Sequence, residues 1–162
     1  MIIRDCSVED AQAVADIWNP LIRTSVATFN SVEKTRQSMA EEIATRQAAG
    51  HAYLLAAEAG QVLGFATYGQ FRGGIGYAHT MEHTIHLGDS AQGRGVGRAL
   101  MTALEDHARA AGVHSLFAGI SAENAAGIGF HRALGYREVT TLCEVGYKFG
   151  RWFDLVLMQK IL

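Results

Sequence analysis

The sequence has 162 residues, the length of a single domain with room for a sizeable hydrophobic core. Hydrophobic residues make up 49% and charged residues 19%, values that fit a soluble globular protein and exclude a disordered chain. The formal net charge is -2, so no strongly basic surface favours nucleic acid or anionic lipid as a partner. No apolar run approaches the ~18 residues of a membrane span.

The first residues and the cysteines predict a cytoplasmic protein. The chain reaches Asp5 too soon for its start to be a secretory signal. Cys6 and Cys143 form no C-x-x-C pair, so we expect two free thiols in a reducing setting, both acting as buried small side chains. No internal repeat, low-complexity tract or linker divides the chain.

Hydrophobic periodicity predicts an alternation of strands and helices. Helical spacing, the Ser7–Asp10 capping pattern and terminal glycines predict four helices, over residues 7–22, 32–48, 96–111 and 124–134. Short apolar runs predict seven strands, over residues 2–4, 52–57, 62–68, 80–87, 115–120, 136–145 and 153–161. Gly60-Gln61 is predicted to turn the second strand into the third. The order βααβββαβαββ predicts an α/β domain around one sheet.

The most specific motif is a glycine-rich turn between a strand and a helix, Gln92-Gly93-Arg94-Gly95-Val96-Gly97-Arg98. Alternate glycines let a ligand approach the backbone without obstruction by a Cβ. The first turn of the following helix offers unpaired N–H groups and the positive end of its dipole. Arg94 and Arg98 can add charge-assisted hydrogen bonds. The segment therefore predicts a pyrophosphate-binding turn.

Other interpretations of this turn have less support from the sequence. A Walker loop needs Lys-Ser or Lys-Thr after its last glycine, where this chain has Arg98-Ala99. A dinucleotide fingerprint needs a glycine at position 98 or 100, and neither position has one. A structural turn that binds nothing is the remaining alternative.

These residues resemble a known family. The pattern Gln92-x-x-Gly95-x-Gly97 resembles the acetyl-CoA pyrophosphate loop of the GCN5-related N-acetyltransferases. That family's second half-motif is matched by Asn124-Ala125-Ala126, Phe130-His131 and Gly135-Tyr136. Residues 80–85, 130–136, 146–154 and 158–159 are similar to the phosphinothricin N-acetyltransferase branch, which includes enzymes that acetylate methionine sulfoximine and methionine sulfone.

The resemblance covers nearly the whole chain and implies both a fold and an activity. The implied fold is a mixed, mostly antiparallel central sheet flanked by helices. The implied activity is transfer of an acetyl group from acetyl-CoA, as co-substrate and without a metal, to a small-molecule amine. The branch also implies a homodimer with the acceptor pocket near the subunit boundary, and the mixture of aromatic and charged residues over 147–154 suits such an interface.

Acetyl transfer to an amine requires a base, a donor to the oxyanion and stabilisation of the departing sulfur. Glu82 is the predicted base, because alternation along its strand places it among the polar residues Thr80, Thr84 and His86 on one face. The branch that the chain resembles assigns this role to the matching glutamate. The alternative is an exposed strand carboxylate in a salt bridge.

The resemblance implies further contacts with coenzyme A. The backbone of Ile85, His86 and Leu87 is expected to pair with the pantetheine arm and to supply an oxyanion N–H. His131 stands where many members carry a tyrosine near the sulfur, and imidazole can donate a proton near neutral pH. Its alternative is a histidine on a helix face bonded to a carbonyl. Asn124 is a good N-cap and matches a residue that contacts the pantetheine or its phosphate, and the two roles can coexist.

The acceptor pocket is predicted to involve the loop before the Glu82 strand, through Phe71, Arg72 and Tyr77. Arg72 can clamp a carboxylate with two hydrogen bonds, and a solvated loop arginine is the alternative. Phe29 and Asn30 are expected to line the same pocket. Ala78 stands where methionine-sulfoximine enzymes commonly have an arginine, so we predict a free amino acid or analogue as acceptor rather than one named compound.

Other functions are weaker predictions. His79 and His83 alternate to the face opposite His86, so three histidines do not converge on a metal. A different acceptor amine, such as a peptide N-terminus, polyamine or aminoglycoside, is the first alternative, with highly cationic acceptors disfavoured. The second alternative is a non-catalytic acyl-CoA-binding module.

Overall fold

Seven strands form one sheet in the computed structural model, which describes residues 1–162. In chain order they are β1 (Ile2–Asp5), β2 (Tyr53–Glu58), β3 (Gln61–Gln70), β4 (Thr80–Leu87), β5 (Ser115–Ser121), β6 (Arg137–Lys148) and β7 (Arg151–Ile161). Their order in the sheet is β1-β2-β3-β4-β5-β7-β6. Only β4 and β5 pair in parallel, and every other pair is antiparallel, which confirms the mixed, mostly antiparallel sheet.

Four helices flank this sheet, which are α1 (Ala11–Thr24), α2 (Arg36–Ala48), α3 (Val96–Ala110) and α4 (Ala125–Ala133). The capping pattern of Ser7 and Asp10 is present, but it starts a short 3-10 turn that leads into α1. The second helix begins four residues later than predicted, because the side chain of Thr35 caps it and accepts from the Ser38 amide.

The hairpin turn predicted at Gly60-Gln61 lies one residue earlier in the structure. The β2–β3 turn consists of Ala59 and Gly60, whose φ angles of 48° and 82° suit a two-residue turn of type I′. The β6–β7 hairpin is longer than predicted and turns at Phe149 and Gly150, again with positive φ. Two register shifts in β6 break the alternation that would have shown its full length.

The sheet is covered on both faces over its central strands, whereas the edge strand β6 is mostly exposed. α1 and α2 cover one face, where a cluster of buried side chains includes Trp18, Tyr53 and Phe65. α3 and α4 cover the other face, where the larger cluster includes Tyr68 and Leu100. Alternate residues of β2 belong to the two clusters, as expected for a strand with no exposed face. Of the two cysteines, Cys6 is buried as predicted, whereas Cys143 is exposed and that prediction is wrong.

The helices are short. The longest, α3, has 15 residues. None of them is both long enough and apolar enough to span a membrane.

The parallel pair β4–β5 separates partway along its length. Its ladder begins at Thr80–Ser115 and ends at His83–Ala118. Beyond that point the two strands diverge, and β5 continues against β7 as far as Ser121. The gap between the two strands opens on the interior of the sheet and positions the candidate site.

Candidate active site

A cavity of about 280 Å³ lies in the gap between β4 and β5. Its walls come from β4, β5, the start of α4 and the loop of residues 27–30 that follows α1. The predicted site residues that it brings together are Glu82, Ile85, His86, Asn124, His131, Phe29 and Asn30. Its lining contains no cysteine.

Glu82 reaches into this cavity across the gap to β5. Its Oε1 atom lies 2.6 Å from the position that a Cβ atom at Gly119 would take, so the carboxylate depends on the absence of a side chain there. The residue is half-buried, and loss of solvation raises the pKa of its carboxyl group above the usual value. A carboxylate with a raised pKa is a stronger base than an exposed one.

Arg46 is a second charged group beside Glu82 that the sequence analysis missed. Its guanidinium lies against the backbone of Gly69, with Nη1 1.5 Å from the position of a Cβ there. Gly69 and Glu82 are direct partners in the β3–β4 ladder, so the cation lies on the same face as the carboxylate. Its charge partly opposes the effect of burial on the pKa of Glu82. A glycine inside a strand was the available signal, since it often marks a close approach.

The backbone of β4 faces its two neighbours alternately. The carbonyl of Thr80 accepts from the amide of Phe71, just beyond β3, and the amide of Gly88 donates to the carbonyl of Leu63 in β3. The backbone N–H and C=O groups of the even-numbered residues of β4 therefore point towards β3. The backbone groups of Ile85 and Leu87 therefore face the β5 side, beyond the end of the β4–β5 ladder. They have no partner strand there, so an extended ligand could pair with them.

His86 differs from this prediction. Its backbone is directed to β3, so it cannot pair with a ligand on the β5 side. Its imidazole lines the cavity and packs against Trp18 and Phe65, with ring centroids 5.3 and 5.6 Å away. Burial lowers the pKa of His86 to about 4, so the ring is neutral at physiological pH.

His131 is buried in the cavity wall, where both of its ring nitrogens have partners inside the protein. Nδ1 lies 2.7 Å from the carbonyl oxygen of Gly127, which places a donating N–H there. Nε2 then accepts from Nε2 of His83 at 3.2 Å. Burial lowers the pKa of both imidazoles, so both are neutral. The geometry matches the alternative of a histidine bonded to a carbonyl, and it leaves no N–H of His131 to protonate a sulfur.

Asn124 caps α4 at the edge of the cavity. Its Oδ1 accepts from the amide of Gly127 at 2.9 Å, which is the N-cap bond that the sequence predicts. A side chain at position 127 would collide with the amide of Asn124, whose Nδ2 lies 2.5 Å from the ideal Cβ position. The donor Nδ2 remains available to a ligand in the cavity.

The glycine-rich turn forms a cluster of unpaired backbone donors. Gly93 and Gly95 have φ angles of 70° and 75°, which other residues adopt only at a cost. The backbone amides that donate to no acceptor within the protein are those of Gly93, Gly95, Val96, Gly97 and Arg98. Five such amides at the N-terminus of a 15-residue helix fit a pyrophosphate.

The two arginines of the turn are not equivalent. Arg94 hydrogen bonds through Nη2 to Glu58 and through Nη1 to the carbonyl of Ser90 at 3.1 Å, so its prediction as a ligand contact is not supported. Arg98 is exposed and has no such partner. Gly97 has a packing role as well, because a Cβ there would lie 3.2 Å from Leu87 and from the ring of Phe130. Gln92 is exposed at the start of the turn.

The loop before β4 lies outside the cavity. Phe71 stacks on Phe117, with ring centroids 4.4 Å apart. Arg72 is exposed and lies 5.7 Å from the ring centroid of Tyr77. The three predicted acceptor residues of this loop are therefore near the Glu82 strand but not part of the lining, whereas Phe29 is part of it.

Comparison with known proteins agrees with this geometry. Residues 3–157 match the acetyltransferase (GNAT) domain family. The L-methionine sulfoximine/L-methionine sulfone acetyltransferase of Pseudomonas aeruginosa is 39% identical over 97% of this chain and 92% of its own length.

Two solved structures share the fold over nearly their full length. A ribosomal-protein-alanine N-acetyltransferase from Brucella melitensis superposes with a TM-score of 0.97 at 40% identity, covering 100% of both chains. A phosphinothricin acetyltransferase from Sinorhizobium meliloti in complex with acetyl-CoA superposes with a TM-score of 0.94 at 30% identity, covering 99% of this chain and 88% of that one. The chain belongs to the GNAT family of acetyltransferases.

Proposed function

We propose that this enzyme transfers the acetyl group of acetyl-CoA to the α-amine of a small amino acid or a toxic analogue of the phosphinothricin or methionine sulfoximine type. The observation that carries the proposal is the position of Glu82. Its carboxylate enters a cavity of about 280 Å³, whose volume suits an amino acid. The relatives named for amino-acid analogues support the same acceptor class.

The turn of residues 92–98 and the open edge of β4 supply the binding of acetyl-CoA. The five unpaired amides of the turn fit its pyrophosphate, and Arg98 adds a cation. The backbone groups of Ile85 and Leu87 face the gap, where the pantetheine arm would lie as an added strand. One of their N–H groups would donate to the thioester oxygen as it gains charge.

Glu82 acts on the acceptor. It takes a proton from the ammonium group, directly or through a water, so that the nitrogen lone pair can attack the thioester carbon. A C–N bond forms and the C–S bond breaks. The nitrogen gives up its second proton to the departing thiolate, directly or through water, so that coenzyme A leaves as the free thiol. Since the cavity lining contains no cysteine, we propose direct attack within a ternary complex rather than an acetyl-enzyme.

For His131 we propose a structural role in the cavity wall. Its two hydrogen bonds orient it between Gly127 and His83, and neither nitrogen is free to donate to the departing sulfur. Asn124, whose Nδ2 is free beside this wall, is the better candidate for a ligand contact.

A peptide N-terminus is the second candidate acceptor, because of the likeness to the ribosomal-protein-alanine N-acetyltransferase. The free amino acid is the first candidate, because relatives named for the acetylation of amino-acid analogues match nearly the whole chain. The ring of Phe29, which packs against Gly146, narrows the cavity on the side where a longer acceptor would have to extend.

We also propose that two copies of the chain associate through the edge strand β6 and its partner β7. Apolar side chains that are more than a third exposed on these two strands are Val139, Leu142, Val145, Tyr147, Trp152 and Ile161. An exposed apolar edge strand of this kind promotes aggregation unless a partner covers it. Light scattering behind a sizing column tests the prediction, with a mass near twice 17.5 kDa expected.

An acceptor panel tests the activity. Thiol release from acetyl-CoA is measured with L-methionine sulfone, L-methionine sulfoximine and phosphinothricin, and with an alanine-terminated peptide, spermidine and an aminoglycoside. A chelator is present throughout, since no metal is expected to take part. Turnover with the amino acids alone supports the proposal, and preference for the peptide supports the second candidate. Binding of coenzyme A without turnover on any amine would indicate a non-catalytic module.

A further inference from the structure

Lys148, the last residue of β6, is buried although its side chain has no carboxylate partner. It is 3% exposed, and its ammonium group donates to backbone carbonyls instead. The Nζ atom lies 2.6 Å from the carbonyl oxygen of Ser25, 2.8 Å from that of Thr28 and 3.4 Å from that of Leu21. A cation is favourable here because these carbonyls lie at and just beyond the C-terminal end of α1.

These bonds are the polar connection between the cavity wall and the sheet. Within residues 25–30 the other side-chain hydrogen bonds are local, from Ala27 to Ser25 and from Asn30 to Thr28. No backbone hydrogen bond joins residues 26–30 to a strand. The far end of the loop is held to α1, where the side chain of Asn19 bonds to the backbone N–H and carbonyl of Lys34. Apart from packing, the part that carries Phe29 into the cavity is fixed to the sheet through Lys148.

The packing of the same loop depends on the same hairpin. The ring of Phe29 occupies the space beside Gly146, with its nearest atom 2.3 Å from the ideal Cβ position. The ring also stacks on Phe153 of β7, with centroids 5.4 Å apart. The end of the β6–β7 hairpin thus shapes the wall of a cavity whose other side holds Glu82.

We propose that Lys148 is a positioning residue for the acceptor, which fixes residues 25–30 so that Phe29 and Asn30 form the wall facing Glu82. The inference rests on the proposed function, because it identifies this cavity as the acceptor site. It predicts that loss of the ammonium group weakens acceptor binding and leaves acetyl-CoA binding unchanged, since the turn of residues 92–98 is elsewhere in the fold.

The test compares Lys148→Met with Lys160→Met. Lys160 also donates to a backbone carbonyl, that of Leu134 at 2.8 Å, and it pairs with the carboxylate of Glu105 at 2.7 Å. It lies outside the cavity lining and is the control for a structural lysine. In Lys148→Met we expect the KM for L-methionine sulfone to rise about fivefold or more, with the KM for acetyl-CoA within about twofold of wild type. In Lys160→Met we expect both values to stay near wild type even if the melting temperature falls.

Limited trypsin digestion supplies a readout that does not need activity. Arg23 is exposed immediately before the loop, so a released loop is expected to be cut faster there in Lys148→Met and not in Lys160→Met. If Lys148→Met fails to fold, Gly146→Ala tests the same wall by displacing Phe29, and its acceptor KM is expected to rise.

Two results would overturn the inference. One is an unchanged acceptor KM in the folded Lys148 variant, or in Gly146→Ala if only that variant folds. The other is an equal rise of both KM values in Lys148→Met and Lys160→Met. Failure of the proposed function looks different, since the wild-type enzyme would then acetylate no amino acid. In that case unchanged cleavage at Arg23 would still refute the role of Lys148 in fixing the loop, and faster cleavage would support it.

Discussion

The carboxylate of Glu82 occupies the space that a side chain at Gly119 would need. The two residues are on the neighbouring strands β4 and β5, Glu82 within the paired ladder and Gly119 just beyond its end, and Oε1 lies 2.6 Å from the ideal Cβ position of Gly119. A strand glycine here is therefore part of the site, because it leaves room for the carboxylate of Glu82 beside β5, where the β4–β5 ladder ends.

Gly119→Ala is expected to displace the carboxylate and lower kcat about 10–100-fold, since a shift of the base by about 1 Å is costly. The affinity for coenzyme A, measured by calorimetry, is expected to stay near wild type. Gly129→Ala is the matched control, because a Cβ at that position of α4 meets nothing within 4 Å. Equal activity of the two variants would show that Glu82 does not need this space.

Arg46 is expected to tune the base. Its positive charge opposes the effect of burial on the pKa of Glu82, so Arg46→Gln should raise that pKa further. Glu82 must be ionised to accept a proton, so the acid limb of the kcat/KM profile should move to higher pH. Arg36→Gln, an exposed change at the other end of α2, should leave the profile in place. If the pH profile of Arg46→Gln does not move, Arg46 does not influence the pKa of Glu82.

Substitutions of the two arginines of the glycine-rich turn are expected to have different effects on the dissociation constant of coenzyme A. Arg98→Gln should weaken coenzyme A binding by about 10-fold or more, the value of one charge-assisted hydrogen bond. Arg94→Gln should change the dissociation constant by less than about twofold, because that guanidinium is already bonded to Glu58 and Ser90. If calorimetric titrations show a larger loss of affinity in Arg94→Gln than in Arg98→Gln, Arg98 is not the arginine that contacts the pyrophosphate.

The acid stability of the protein is expected to depend on Asp10. Its carboxylate accepts from Arg4 and from Ser7, and these bonds hold its pKa at about 2. Since the pKa in the folded state is lowered, the stabilisation is present above the ordinary pKa near 4 and is lost as the pH falls to about 2. Asp10→Asn should lower the free energy of unfolding at pH 7 by about 1–2 kcal/mol, with allowance for the partial exposure of Arg4. In urea titrations that difference should shrink towards pH 2, and a difference that is constant with pH would contradict the assignment.

Local patterns predicted the parts of the site that are close in sequence. Alternation along one strand placed Glu82 on the same face as Thr84 and His86, and the glycine spacing located the unpaired amides at the start of α3. The N-cap role of Asn124 also follows from residue type and position alone. Each of these features depends on residues within one turn or one strand.

Sequence patterns did not predict the contacts between segments that are distant in the chain. Lys148 binds carbonyls 120 to 127 residues away, and no periodicity signals such a bond. The same segment was interpreted only as an interface, although Lys148 and Phe153 are turned inward. The roles of Arg46 and of the His83–His131 pair likewise depend on how separate elements pack.

The most direct test of the account is acetyl transfer by Glu82→Gln, measured as thiol release with L-methionine sulfone across pH. Loss of general-base catalysis predicts a fall in kcat of about 100-fold or more, disappearance of the acid limb and unchanged affinity for coenzyme A. A variant that binds coenzyme A and keeps most of its turnover, with the wild-type pH profile, would contradict the assignment of Glu82 as the base.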